Sequence, residues 1–348
     1  MKRSLLLVLI VSLLLTMLLG CQKAEEVVDE VKEGVEEIVE EVKEEVEEKP
    51  GELQYLSVAT GGTGGTYYPL GGAIAVILNE SDIGVQATAQ ATGASVENVT
   101  LVSDGEAEIA FVQNDVVFYA VNGVETYEGQ DKVENIAGIA TLYPEVVQII
   151  ATKESGISSV SDLAGKRVAV GAPGSGTEVN ARQILAEYGL VYDDLAKADY
   201  LSFNEATDNM KNKQIDASFI TGAIPTSAVA ELAQTTEIVV LNVEEDKIKS
   251  LAEKYPFYTP VTIPAGSYKG QEADVVSPAV MAMLIVPKDM DEELVYNIVK
   301  NMFERRQIIV DTHKRGEDIT LETALDGMSI DLHPGAQRYY DEMGIKAN

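Results

Sequence analysis

Short, β-rich apolar runs alternate with stretches of helical periodicity from residue 53 onward. The apolar runs predict strands at Leu53–Ala59, Gly84–Ala91, Glu108–Val112, Ile136–Thr141, Val146–Thr152, Arg167–Gly171, Ala217–Thr221, Ile238–Leu241 and Val276–Val286, with a strand-like position at Leu201. Apolar positions three and four residues apart predict helices at Tyr68–Leu78, Ala94–Ser103, Asn114–Val121, Thr177–Tyr188, Ala206–Lys213, Ser227–Gln234, Glu245–Lys254 and Asp291–Phe303. Strands that alternate with helices indicate βαβ units and a largely parallel sheet.

The alternation runs through two similar cycles, and the second cycle begins after Thr152. We therefore predict an α/β fold of two lobes, each a Rossmann-like sheet with flanking helices. Lobe one would comprise residues 52–147 and 285–348, and lobe two residues 152–280, with hinge strands at Val146–Thr152 and Val280–Val286. Ligand sites in open α/β sheets lie at the carboxyl ends of strands, so a site is expected in the cleft between the lobes.

The first twenty residues have the pattern of an export signal. Lys2 and Arg3 precede an apolar run that is shorter than the roughly 20 residues a membrane-spanning helix needs. The run ends in Leu18-Leu19-Gly20-Cys21, which resembles a lipobox, so residues 1–20 are predicted to be a lipoprotein signal peptide and Cys21 the lipidated first residue. An uncleaved anchor with an incidental cysteine is the alternative, and both interpretations place the chain outside the cytoplasm.

An acidic stretch follows Cys21. Thirteen Asp or Glu and three Lys lie between Ala24 and Lys49, and valine and isoleucine recur there at helical spacing. Residues 21–51 are predicted to be a helical or disordered stalk. A charged spacer is favoured over a specific coiled coil.

Composition excludes several classes of function. The formal net charge of −31 disfavours binding to nucleic acid. Cys21 is the only cysteine, so no disulfide, thiolate metal site or catalytic thiol is expected. His313 and His333 are the only histidines, and both lie in the C-terminal region, away from the predicted cleft. No catalytic triad or metal-ligand motif is present, so we predict a protein that is not an enzyme and needs no cofactor or metal.

Loops rich in Gly, Ser, Thr, Asn and Tyr follow five of the predicted strands. The candidate ligand-binding residues are Gly62, Thr63, Gly64, Tyr67 and Tyr68 in the first loop, Ser95 and Asn98 in the second, Gln113 and Asn114 in the third, Gly174, Ser175, Gly176 and Thr177 in the fourth, and Thr221 and Gly222 in the fifth. Glycines let backbone N–H groups approach a ligand closely, and the helix N-termini that follow offer unsatisfied N–H groups to an anion. Two such helix N-termini are expected to face each other across the cleft.

Each loop also has a structural interpretation. Glycine-rich turns between strands and helices are often structural, Ser95 and Asn98 could be capping groups, and Tyr67 could belong to the core. Asn114 could simply begin a helix. Arg182 lies four residues after Glu178 and is interpreted as its ion-pair partner on a helix face and not as a ligand clamp. The convergence of several loops at corresponding strand ends favours a ligand site.

The sequence resembles the TAXI group, the solute receptors of one branch of TRAP transporters. The residues that carry the resemblance are Ala59–Pro69 (ATGGTGGTYYP), Gly93–Val99 (GASVENV), Phe111–Val116 (FVQNDV), Leu163–Val170 (LAGKRVAV), Gly171–Arg182 (GAPGSGTEVNAR), Pro264–Gly270 (PAGSYKG) and Leu294–Phe303 (LVYNIVKNMF). It spans roughly Leu53 to Gly344. Gln113-Asn114-Asp115 has Asn where Ser is commoner in relatives.

The resemblance implies a type II-like periplasmic binding protein fold and a TRAP membrane permease as partner. It implies that the first loop, Ser95, Asn98, Gln113 and the loop Gly174–Thr177 line the cleft, and that the solute is a small carboxylate or amino acid such as glutamate, glutamine or 2-oxoglutarate. The alternative is a solute-binding lipoprotein of an ABC importer, or a sensor, on the same fold.

Overall fold

The computed structural model describes residues 53–346. The predicted signal peptide, Cys21 and the acidic stalk lie outside these residues. Within them, the strands are β1 (Gln54–Ala59), β2 (Val85–Gln90), β3 (Ile109–Gln113), β4 (Ile136–Thr152), β5 (Arg167–Ala169), β6 (Lys197–Asp199), β7 (Ala217–Gly222), β8 (Ile238–Val240), β9 (Thr259–Ile263) and β10 (Val275–Pro287). The helices are α1 (Tyr67–Asn79), α2 (Ser95–Ser103), α3 (Asn114–Asn122), α4 (Gly176–Glu187), α5 (Phe203–Lys211), α6 (Ser227–Thr235), α7 (Glu245–Lys254), α8 (Glu292–Glu304), α9 (Gln307–Thr312) and α10 (Pro334–Glu342).

The strands form one curled mixed sheet in the order β2-β1-β3-β10-β4-β7-β5-β6, with β8 paired to β4 and β9 paired to β10. Strands β1, β2 and β3 pair in parallel, as do β5, β6 and β7. The long strands β4 and β10 run antiparallel to their partners. The α/β fold class is confirmed, but the sheet is mixed and not largely parallel, because these two strands lie at its centre and join two parallel segments.

The sheet has two halves. The first half is β1–β3 with helices α1–α3, and the second half is β5–β8 with helices α4–α7. Strand β4 pairs with β10 and then continues into pairing with β7 from Val146 onward. Strand β10 pairs with β9 near Ala279 and with β3 from Ala282. The two predicted hinge segments overlap the places where β4 and β10 change their pairing partners. The predicted domain boundaries remain a prediction.

Each half has its own apolar core. Leu56 and Val58 of β1 pack with Val295 and Val299 of α8 and with Tyr340 of α10 in one buried cluster. Hence the C-terminal helices pack on the first half, although the chain reaches them from the second. In the second half, residues of β4 and β5 pack against one face of α4 and one face of α7. Burial of this apolar surface is the main favourable term in the stability of both halves.

Three strand predictions differ from the structure. Ile136–Thr141 and Val146–Thr152 belong to the single 17-residue strand β4. Pro144, between the two predicted strands, lies opposite Met281 beside an irregularity in the β4–β10 register, where its missing N–H is tolerated. Strand β6 lies at Lys197–Asp199, before Leu201, and β9 was not predicted, because its residues are mostly exposed and lack a strong apolar run.

Candidate ligand-binding site

A small cavity of about 60 Å³ lies between the two halves of the sheet. Its lining comes from both halves and consists of Gly61, Gly62, Gly65, Thr66, Tyr67, Thr92, Gly93, Ala94, Ser95, Gln113, Glu145, Ala172, Ser175, Gly176, Thr177, Ser202, Phe203 and Thr221. The volume exceeds what one water molecule needs, and the lining includes hydroxyl, amide and carboxyl groups. These are the features of a site that encloses a small polar solute.

The first loop connects β1 to α1 and is hydrogen-bonded to the second half. The carbonyl oxygen of Gly64 accepts a bond from the backbone N–H of Ala228 at 3.3 Å. The hydroxyl of Thr66 accepts one from the N–H of Ala223 at 3.3 Å. Gly64 is needed for this approach, because a Cβ there would lie 2.2 Å from Oδ1 of Asn204. This loop therefore contributes to the cavity and also holds the two halves together.

The second loop precedes α2 and meets the loop before α4. The N–H groups of Val96 and Glu97 both donate to the carbonyl oxygen of Gly174, at 2.9 and 3.1 Å. That carbonyl satisfies donors that a helix N-terminus otherwise leaves unpaired. Ala94 has φ 79° and ψ −142°, a conformation that is costly for a residue with a side chain. Strain of this kind tends to be found at binding sites, and Ala94 lines the cavity.

Helix α4 begins at the cavity. Ser175 is its N-cap, and its hydroxyl accepts a bond from the N–H of Glu178 at 3.2 Å. Gly176 and Thr177 occupy the first two helical positions, where the backbone N–H groups have no intrahelical acceptor. Both residues line the cavity. The N-terminus of α4 can therefore donate hydrogen bonds to a carboxylate or another oxygen acceptor.

Glu145 is a buried carboxylate in the cavity lining that the sequence analysis missed. It is 3 % exposed. Its Oε2 accepts a hydrogen bond from the hydroxyl of Tyr67 at 2.5 Å, and its Oε1 lies 3.4 Å from the hydroxyl of Tyr143. Burial raises the pKa of Glu145 to about 8, with a further contribution from the charge of Asp115, while the two tyrosine hydrogen bonds oppose the rise. The available signal was a glutamate inside an apolar strand, a position that charged residues rarely occupy without a purpose.

Tyr67 has a polar role as well as a place in the core. Its ring packs on Phe111 with the centroids 5.0 Å apart. Burial, followed by the neighbouring Glu145, raises the pKa of Tyr67 well above its usual value. The phenol therefore stays protonated and keeps donating to Glu145.

Gln113 presents an unpaired acceptor. It ends β3 and is 3 % exposed, and its backbone N–H donates to the hydroxyl of Ser95 at 3.1 Å. Its side-chain Oε1 is buried and has no hydrogen-bond partner in the described part of the chain. Because a buried polar atom without a partner costs free energy, Gln113 is suited to a donor that a ligand supplies.

Eight of the predicted site residues are brought together in the cavity lining: Gly62, Tyr67, Ser95, Gln113, Ser175, Gly176, Thr177 and Thr221. Outside the lining are Thr63, Gly64, Tyr68, Asn98, Asn114, Gly174 and Gly222. Thr63 and Gly64 contact the second half, Gly174 caps α2, and the carbonyl oxygen of Gly222 accepts from Gln148 at 3.3 Å. Tyr68 is exposed.

Asn98 and Asn114 position the neighbouring backbone. The Nδ2 of Asn98 donates to the carbonyl oxygens of Thr60 and Phe111, at 2.6 and 2.7 Å. The side chain of Asn114 donates to Gly327 and accepts from the N–H of Met281. Spacing alone could not distinguish these supporting amides from cavity-lining ones, because both types follow buried strands.

Arg182 agrees with its interpretation as a helix-face ion-pair residue. Its Nε lies 3.5 Å from Oε1 of Glu178, and its Nη1 lies 3.5 Å from Oε2 of Glu125. It is not in the cavity lining.

The two histidines cap helices. The Nδ1 atoms of His313 and His333 accept bonds from the N–H groups of Arg315 and Gly335, respectively. Across residues 53–346, no cluster of His, Cys, Asp and Glu is arranged to hold a metal ion. In the same range, no helix combines the length and apolar character needed to cross a bilayer.

Solved structures share this fold. A protein from Bordetella bronchiseptica RB50 is 16% identical with a TM-score of 0.53, and the match covers 84% of this chain and 99% of that chain. The alkanesulfonate-binding protein SsuA from Xanthomonas axonopodis pv. citri bound to MOPS is 14% identical with a TM-score of 0.44 and 84% coverage of both chains. A binding protein component of an ABC phosphonate transporter from Pseudomonas aeruginosa is 12% identical with a TM-score of 0.47, covering 77% of this chain and 80% of that chain.

The similarity to solved structures concerns the fold, while the sequence itself identifies the family. Residues 58–344 match the model of the NMT1-like family. The matched range includes all fifteen predicted ligand-binding residues. The chain therefore belongs to the NMT1-like family.

Proposed function

We propose that this chain is an extracytoplasmic solute-binding protein that encloses a small carboxylate or amino acid between two lobes and does not alter it chemically. The observation that carries the proposal is the cavity whose lining is shared between the two halves, at strand ends and helix N-termini. Backbone N–H groups, hydroxyls, the amide of Gln113 and the carboxylate of Glu145 can hold a polar solute.

The proposed mechanism is hinge closure. Solute bound to the first half recruits the loop before α4, and the bonds from Val96 and Glu97 to Gly174 then stabilise the closed form. The closed form is the one a membrane transporter would recognise.

Replacing Ser175 or Gln113 with alanine is expected to weaken solute binding several-fold. Gln113→Ala should leave the melting temperature of the ligand-free protein nearly unchanged, whereas Ser175→Ala should lower it somewhat, because it also removes the N-cap of α4, a loss of about 1 kcal/mol. Each change removes a side chain from the cavity lining, and a hydrogen bond to a charged group contributes roughly 1.5–3 kcal/mol. Thermal-shift screening with amino acids and dicarboxylates would identify the solute, and calorimetry would measure its affinity. Gln234→Ala, on the exposed face of α6, is the matched control. Unaltered affinity in both site variants would refute this site.

The class of transporter is a separate question. The sequence resemblance predicts a TRAP permease of the TAXI type, whereas the similar phosphonate-binding structure is described as part of an ABC system. The comparisons therefore fit the alternative, an ABC importer, better than the TRAP prediction. Solute uptake that stops on ATP depletion would support an ABC partner, and uptake that stops when the ion gradient is collapsed would support a TRAP partner.

Attachment to the membrane through a lipid on Cys21 is part of the proposal. Cys21→Ser is expected to abolish incorporation of labelled fatty acid and to move the protein from the membrane fraction to the soluble fraction, because two acyl chains are needed for a stable anchor. Unchanged membrane association without fatty-acid label would favour the alternative, an uncleaved apolar N-terminus.

A further inference from the structure

The charge lining the cavity has one sign. Glu145 is the only residue in the lining that can carry a full charge near neutral pH, and no Lys, Arg or His is among the described lining residues. Arg315 acts electrostatically on Tyr143, but it is not in the lining and pairs with Asp318 at 2.8 Å. The described salt bridges leave Glu145 without a cationic partner.

Glu145 has room for another donor. Its two oxygens each receive one tyrosine hydroxyl, and the contact with Tyr143 is long at 3.4 Å. A carboxylate has about four acceptor positions, so acceptor capacity remains on the side of the cavity. Gln113 adds the buried Oε1 that has no partner among the described residues. The cavity thus combines unused acceptors at Glu145 and Gln113 with unused backbone donors at the start of α4.

We propose that Glu145 is a specificity residue that accepts hydrogen bonds from a protonated amine of the solute. The inference rests on the proposed solute-binding function and narrows it to small solutes with a primary ammonium group. An ammonium group brings three donors and a positive charge, which favours the ionised form of Glu145, and the ionised carboxylate can accept hydrogen bonds with both oxygens. A carboxylate or another oxygen acceptor of the same solute would accept hydrogen bonds from the N–H groups of Gly176 and Thr177.

This arrangement disfavours 2-oxo acids. A 2-oxo acid replaces the ammonium group with a carbonyl oxygen, which supplies no donor to Oε1 of Gln113 and no positive charge to favour the ionised form of Glu145. A binding site that hydrogen-bonds a polar group of its ligand discriminates strongly against analogues that lack this group, because the buried polar groups of the protein are then left unpaired. An amino acid is therefore expected to bind at least about 100-fold more tightly than the 2-oxo acid with the same side chain.

A proton is expected to leave the protein when the amine binds near pH 8. The groups that act on Glu145 are Tyr67 from α1, Tyr143 from its own strand and Asp115 from α3. Burial holds the pKa of Glu145 near 8, and a neighbouring ammonium group lowers it again. The binding enthalpy at pH 8 should therefore vary with the ionisation enthalpy of the buffer.

The test is calorimetric titration of the wild-type protein and of Glu145→Gln with matched pairs of compounds. The pairs are L-glutamate with 2-oxoglutarate, L-alanine with pyruvate, and L-leucine with 4-methyl-2-oxovalerate. The wild type should prefer the amino acid of a pair at least about 100-fold, and Glu145→Gln should reduce that preference to less than about 10-fold. Glu231→Gln, an exposed residue paired with Lys211, should keep the full preference.

The outcomes separate the inference from the proposed function. If the wild type binds a 2-oxo acid as tightly as its amino acid, or if Glu145→Gln keeps the full preference, the inference is wrong and the receptor function stands. If the wild type binds no member of the three pairs, the proposed solute class is wrong, and the inference about Glu145 is then wrong as well. Should Glu145→Gln fail to fold, an N-acetyl amino acid titrated into the wild type serves instead, and undiminished affinity would overturn the inference.

Discussion

Gly93→Ala is expected to weaken solute binding about 30-fold while leaving the ligand-free protein as stable as the wild type. A Cβ on Gly93 would lie 2.6 Å from the carbonyl oxygen of Pro173 and 2.5 Å from Oε2 of Glu97. The glutamate can rotate away, but the carbonyl belongs to the backbone of the second half. The halves must therefore stay further apart, which opposes the closed state.

The size of this effect follows from the closure equilibrium. A penalty of about 2 kcal/mol on the closed form reduces its population roughly 30-fold, and the apparent affinity falls by the same factor. In the proposed hinge motion, opening moves Gly93 away from Pro173, so the stability of the open form should not change. The melting temperature of the ligand-free protein is thus the reference that separates blocked closure from misfolding.

Calorimetry and small-angle scattering would measure the outcome. In the presence of solute, Gly93→Ala should keep a larger radius of gyration than the wild type. Gly72→Ala is the control, because a Cβ at Gly72 meets no atom within 4 Å. Wild-type affinity and a fully compact liganded form in Gly93→Ala would contradict the closure mechanism.

The glycine loops were predictable because their signals are local. A glycine-rich segment between an apolar strand and an apolar helix must form a tight turn, and the carboxyl ends of strands in one sheet lie close together. This is why Gly62, Ser95, Gln113 and Gly176 were found from sequence and do line one cavity. The alternation of strands and helices gave the fold class for the same reason.

Glu145 could not be found in this way, because its burial is a tertiary property. It is buried because β4 passes between β10 and β7, and that pairing joins residues 66 or more positions apart. Pro144 also hid the continuity of β4, since a proline within an apolar run usually ends a strand. The supporting roles of Asn98 and Asn114 could not be predicted from the sequence either. The carbonyl groups that these side chains bind are brought close by the fold and not by sequence spacing.

Asp115 is expected to make the protein less stable as the pH rises from 4 to 8. It lies at the start of α3, is fully buried, and has no hydrogen-bond partner for Oδ1 among the described residues. Its Oδ2 accepts from Nδ2 of Asn180 on α4 at 3.2 Å. Burial raises the pKa of Asp115 to about 7, against the opposing effect of backbone and Asn180 hydrogen bonds.

The direction of the effect comes from proton linkage. The folded protein holds the proton of Asp115 more tightly than the unfolded chain, where the pKa is about 4. The stabilisation is complete below that value and is lost as the pH rises through 7. A difference of three pKa units corresponds to at most about 4 kcal/mol. Glu145, with its pKa raised to about 8, acts in the same direction over a slightly higher range.

Asp115→Asn should therefore unfold with a free energy similar to that of the wild type at pH 4.5 and up to about 4 kcal/mol higher at pH 8.5. An asparagine keeps an oxygen that can accept from Asn180 but carries no charge that must be buried. The measurement is urea denaturation of both proteins across this pH range, with Asp289→Asn, at an exposed position, as the control. If the stability difference between wild type and Asp115→Asn did not change with pH, Asp115 would not be taking up a proton on folding.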